Sequence, residues 1–150
     1  MSIKQQIDQD LKQALLSGKK DLVTTLRGLK SAILYVEVAQ NKRETGLPDQ
    51  EVIEVFTREA KKRQESADLY AQGGNAEKQQ AELTEKKIIE QYLPKQMDDT
   101  ELTTLIDTVI AKSGPVSSQT MGKIIGEVKQ QTAGRADGSR IAALIKERIA

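Results

Sequence analysis

The residues with the richest chemistry stand near the end of the chain, in MGKIIGEVKQQTAGRADGSRI over residues 121–141. Four glycines, two lysines and two arginines in so short a span suggest a backbone that cradles phosphate between bare N–H groups and nearby cations. A phosphate-binding glycine loop follows a strand and opens a helix, and its Walker form ends in Gly-Lys-Ser/Thr. Here apolar residues recur at helical spacing on both sides, and GRADGS lacks that ending. The better reading is a helix corner, in which Gly134 takes the left-handed stop of one helix and Asp137 caps the next. What remains for chemistry is a set of cations: Lys123, Lys129, Arg135 and Arg140. Residues 113–150 hold six basic side chains against three acids, a local excess of +3 in a chain of net charge +1. Gly122 and Gly126 lie four apart to one side of the apolar stripe, with Lys129 on the same side. The expectation is a neighbouring helix packed close against them. The alternative is an RNA backbone approaching a bare helix flank.

A second group of charges lies in TREAKKRQES. A buried stripe of Val52, Phe56, Ala60, Ala67 and Tyr70 carries Glu59 and Arg63 with it, an i,i+4 pair able to satisfy each other. A partly buried ion pair between helices is expected there, with Arg58, Lys61 and Lys62 on a solvated face. The chain has no histidine and no cysteine. That removes the usual general base, every Ser-His or Cys-His arrangement, disulfides and thiolate metal sites. No metal or cofactor is expected, no catalytic centre is identifiable, and an enzyme would have to work through Glu59 or another carboxylate. Only four aromatics occur, none of them tryptophan, which argues against stacking platforms for single-stranded bases. A folded RNA read through phosphates and 2′-hydroxyls needs no aromatics. The start, MSIKQQIDQD, has no apolar signal region and no later segment approaches membrane length, so a soluble cytoplasmic protein is expected.

The elements that position these residues are all helical. Ile3, Ile7, Leu11 and Leu15 mark a first helix stopping at Gly18, and Asp21 is the expected cap of a second with stripe Leu22, Leu26, Leu29, Ile33 and Val36. ILYVEV suits a strand by residue type, but it continues the helical period. After a loop over residues 41–48, a long helix spans residues 49–72 and ends at Gly73-Gly74. Asn75 caps a fourth helix reaching Tyr92, and Leu93-Pro94 closes it. Asp98 with Glu101 forms a capping-box pattern, with Met97 stapling onto Leu102. That helix buries Leu102, Leu105, Ile106, Val109 and Ile110 and stops at Ser113-Gly114-Pro115. Ser117 is expected to cap a helix over residues 118–132, with stripe Met121, Ile124, Ile125 and Val128. The last helix carries Ile141, Leu144, Ile145 and Ile149. The fold class is therefore all-α. Four helices fill an N-terminal region, residues 1–94, and three fill a small tail domain, residues 95–150, with a hinge near Pro94.

MGKIIGEV followed by GRADGSRI resembles the signature of the GatB/YqeY family. YLPKQM before an acidic-capped helix, LRGLKSAI near the front and REAKKRQES in the middle resemble its other landmarks, and the match covers essentially the whole chain. In larger relatives this module is the tail of one component of the glutamine-dependent tRNA amidotransferase, a carbon–nitrogen ligase, and binds the outer corner of tRNA. The chain has no room for the catalytic core that precedes the tail in those relatives. The resemblance therefore implies an accessory tRNA-binding module in translation, with an amidotransferase or an aminoacyl-tRNA synthetase as protein partner. The alternative is a non-catalytic protein-interaction adaptor in aminoacyl-tRNA metabolism. Met121, Gly122, Lys123, Gly126, Gly134, Arg135, Ala136, Asp137 and Gly138 match the tail motif. Lys123 and Arg135 are its candidate RNA contacts, with Lys129 and Arg140 as neighbours. Two positions depart from the pattern. Thr120 stands where an acid is common, implying weaker charge stabilisation of that helix start, and Pro48 stands where a capping Ser or Thr is common.

Overall fold

The computed structural model describes residues 1–149, and of Ile149 the backbone alone. The described residues form seven helices and no strand: α1 (Ile3–Leu16), α2 (Lys20–Ala39), α3 (Asp49–Gln72), α4 (Ala76–Glu90), α5 (Asp99–Ser113), α6 (Met121–Thr132) and α7 (Gly138–Ile149). ILYVEV lies inside α2, as its period requires. The chain divides into two compact units, Met1–Leu93 and Pro94–Ala150.

In the first unit, α1 packs along α2 and α3 along α4, and α2 touches both α3 and α4. Phe56, Ile7, Leu26, Leu29, Val52 and Ile89 form the centre of the core. The stripe expected on α1 drifts: Leu15 is 50% exposed and Ala14 is buried in its place. Four-residue steps on a helix of 3.6 residues per turn advance the face by about 40° each, and by the third step, at Leu15, it has turned to solvent. Asp21 does not cap α2. Lys19 holds that position with no side-chain hydrogen bond, and Asp21 falls in the first turn, where its charge still favours the helix N-terminus. The turn at Gly18, at φ +69°, sets the cap at Lys19, two residues before the aspartate. Pro48 is the N-cap of α3 and gives it no side-chain hydrogen bond. Asn75 does cap α4, accepting from Lys78 N–H, but α4 ends at Glu90 rather than at Tyr92.

The link between α2 and α3 is held by one buried carboxylate. Glu37, 4% exposed, accepts from the Lys4 ammonium at 2.6 Å and from the Leu47 N–H at 2.9 Å. Leu47 is drawn into the core by this bond. Gly46 makes the turn at φ +77°, and a methyl there would stand 3.3 Å from Lys4 Nζ. Burial raises the Glu37 carboxyl, but the hydrogen bonds from Lys4 and Leu47 outweigh it and hold the group below the ordinary carboxylate range. Farther along, the Tyr92 hydroxyl donates to Asp10 at 2.5 Å and its ring meets Phe56 edge-on. Burial and that carboxylate push the Tyr92 hydroxyl up, so it stays a donor at neutral pH and ties the end of the unit to α1.

In the second unit, Leu102, Ile106, Val109, Ile124, Val128, Ile141 and Ile145 form a separate core, and Met97 packs against it. Asp98 caps α5 through the Glu101 N–H at 2.8 Å. Only this half of the capping box forms, because the Glu101 side chain is engaged elsewhere. The turn after α6 uses two left-handed residues, Ala133 at φ +50° and Gly134 at φ +87°. Gly134 is the residue the sequence puts there; Ala133 is strained, since an L-residue with a Cβ costs about 1–2 kcal/mol in that region. Ala133→Gly is therefore expected to stabilise the second unit by about 1 kcal/mol, read as a higher urea midpoint of the unit's unfolding. No change or a loss would mean that the strain is relieved elsewhere.

Candidate functional site

α6 owes its entry to a reciprocal turn. Ser117 N–H donates to the Thr120 hydroxyl at 2.8 Å, and Thr120 N–H donates to the Ser117 hydroxyl at 3.3 Å. The helix accordingly starts at Met121 rather than at 118. Thr120 thus supplies the acceptor that an acid would supply there, and only the charge is missing. Beyond this turn no side chain caps α6 and its first turn carries no acid. The Gly122 and Lys123 N–H groups find no acceptor among the described residues.

The two glycines settle one expectation against the sequence. No atom lies within 4 Å of where a Cβ would stand on Gly122 or Gly126, and both residues are exposed. No neighbouring helix packs there. The core face of α6, with Ile124, Val128 and Thr132 buried, lies on the far side of the cylinder. Lys123 and Lys129 are exposed, and neither is paired with an acid among the described residues. Lys123 in the first turn gains nothing from the helix dipole, whereas Lys129 in the last turn is favoured by it. The outer face of α6 is thus bare backbone between two lysines.

The arginines are placed differently. Arg135 Nε donates to the Lys95 carbonyl at 2.9 Å and its Nη2 to Glu101 at 3.2 Å. Gln96 reaches the Gly134 carbonyl, and Met97 N–H donates to the Arg135 carbonyl. The corner is clamped by residues 95–97. Asp137 caps α7 through the Arg140 N–H at 2.7 Å, and the Arg140 side chain donates to Asp99 at 2.6 Å. Arg148 donates to Asp107 at 2.6 Å. The local excess of +3 is therefore not a free patch: α5 brings Asp99, Glu101 and Asp107 to all three arginines. Spacing carries a signal of this pairing that a charge count misses, since Asp99 and Asp107 are eight apart, as are Arg140 and Arg148.

Glu59 and Arg63 do form their ion pair, at 3.1 Å, and Arg63 also donates to Glu85 of α4 at 2.9 Å. This joins α3 to α4, and α4 supplies the partner that spacing within one helix could not reveal. Among the described residues no group of three or more His, Cys, Asp or Glu is arranged to hold a metal ion. No described helix is long and apolar enough to cross a membrane.

No curated protein matches the chain. The family model described as Yqey-like protein matches residues 4–149, which takes in both compact units. The chain, with its all-helical fold and its open-faced α6, belongs to the Yqey-like protein family.

Proposed function

We propose that the unit Pro94–Ala150 is an accessory tRNA-binding module, similar in role to the tail of the glutamine-dependent tRNA amidotransferase. The observation that carries this reading is the outer face of α6. Two unacceptored N–H groups, the Lys123 ammonium and open space at Gly122 meet at one helix N-terminus, the arrangement that receives phosphate. Gly126 and Lys129 continue the same face along the helix. Such a surface contacts backbone and shape rather than base edges, so it binds folded tRNA with little sequence preference. Lys123 and Lys129 make the first contacts. Arg135 and Arg140 contribute when phosphate replaces the carboxylates that hold them. No catalytic centre is identifiable in the module, and it works beside an amidotransferase or an aminoacyl-tRNA synthetase in the cytoplasm.

The test is tRNA binding by the full chain across a salt series. Affinity is expected to fall as salt rises, with a log–log slope of roughly −2 to −4 for that many phosphate contacts. Replacing Lys123, Arg135 and Arg140 together by Ala is expected to lower affinity at least tenfold while circular dichroism is unchanged, a loss of about 1.4 kcal/mol or more. An unchanged affinity with the fold intact would refute the site. Recovery of a protein partner that survives nuclease treatment, with no tRNA bound, would favour the adaptor reading instead.

A further inference from the structure

The first unit carries a surface that neither its core nor tRNA binding explains. Along α2, Leu34, Tyr35 and Val38 are 44%, 78% and 56% exposed, and they crowd one side of the helix's C-terminal half. On the same side of the N-terminal half stand Thr24, Arg27, Gly28 and Ser31, all exposed. Gly28 lies in mid-helix with nothing within 4 Å of where a Cβ would stand, so the fold gives no reason for a residue that weakens the helix by about 1 kcal/mol. Arg27 is in no ion pair among the described residues. One half of this face is polar and holds the bare Gly28; the other is apolar.

We infer that this face pairs with itself, α2 crossing α2 of a second copy antiparallel about a two-fold axis at Ser31. A two-fold there sets each residue opposite the one equally far beyond Ser31. Gly28 then receives Leu34 of the other copy, and Thr24 receives Val38. Arg27 lies over the ring of Tyr35, where a guanidinium is attracted to the aromatic face. The bare Gly28 position meets a large apolar side chain, and the unpaired Arg27 meets an aromatic ring. A parallel pairing would set large against large and leave a void at Gly28. Gly28 and Ser31 at the crossing allow close backbone approach. One helix face per copy is a small interface, so the dimer is weak and reversible, with Kd on the order of micromolar to hundreds of micromolar.

The chain lacks cysteine, so single cysteines map the pairing without background. Sedimentation equilibrium of the full chain is expected to show a monomer–dimer equilibrium, and Tyr35→Ala or Gly28→Leu to raise Kd at least tenfold with helicity unchanged. Ser31→Cys, on the axis, is expected to yield covalent dimer with a short bis-maleimide. Arg27→Cys and Tyr35→Cys are expected to cross-link when mixed with each other but hardly when alone. A chain that stays monomeric to millimolar concentration overturns the proposal. So does a dimer indifferent to Tyr35→Ala, or one in which Arg27→Cys cross-links as well alone as in the mixture. None of these readouts depends on tRNA, so the dimer and the tRNA site stand or fall separately.

Discussion

Glu37→Ala is expected to destabilise the first unit by about 3 kcal/mol, because it leaves a buried N–H without its acceptor and removes the buried partner of a half-exposed ion pair. The carboxylate is 4% exposed and joins Lys4 of α1 to the Leu47 N–H of the α2–α3 link. Hydrogen exchange at Leu47 is expected to accelerate sharply in the variant, a local reading that general destabilisation elsewhere would not single out. Glu37→Gln keeps an acceptor for Leu47 and loses the charge, so about half that cost is expected, near 1–2 kcal/mol. The pH dependence has a definite sign. The folded-state carboxyl titrates lower than in the unfolded chain, so the unfolded chain binds the extra proton. The stabilisation is complete above the unfolded value of about 4.3 and is lost as pH falls through the folded-state value below it. Urea denaturation at pH 7 and pH 3 should therefore show the gap between wild type and Glu37→Gln closing on acidification. A gap that stayed constant would mean that the charge of Glu37 contributes nothing to the fold.

Replacing Gly122 and Gly126 together by Ala is expected to do two opposite things. The helix gains about 0.5–1 kcal/mol at each position, since Ala is the better helix former and a methyl meets nothing there. If the outer face of α6 receives tRNA phosphates, two methyl groups hold the ribose–phosphate chain away, and affinity is expected to fall tenfold or more, about 1.4 kcal/mol. A more stable protein that binds worse is the signature of residues kept for contact rather than for folding. A stable double variant with wild-type tRNA affinity would remove α6 as the contact surface, and a destabilised one would show that the face is covered in solution.

Much of this protein is legible along the chain because helical period and punctuation are local. The limits of α3 and the two glycines after it, the Asn75 and Asp98 caps, the left-handed Gly134 and the Asp137 cap all follow from residues within four positions of each other. Helix rather than strand for ILYVEV, and the Glu59–Arg63 pair, follow in the same way. Some misplaced features are local as well, since the Asp21 cap, the start of α6 and the drift from Leu15 to Ala14 follow from turn and helix geometry, whereas in others a neighbour in space decides. Glu101 leaves its capping box because Arg135 competes for it.

By itself the sequence determined an all-helical chain, most of its helix ends, its family and the identity of the candidate cations. Only the tertiary structure decided which cations are free. Coulomb attraction acts across α5, α6 and α7 and pairs Arg135, Arg140 and Arg148 with acids 34 to 41 residues away, whereas a charge count along the chain treats them as a basic tail. The structure also decided that Gly122 and Gly126 face open space. Whether a missing side chain admits a helix or leaves backbone bare depends on what lies opposite, and no spacing along one helix records that.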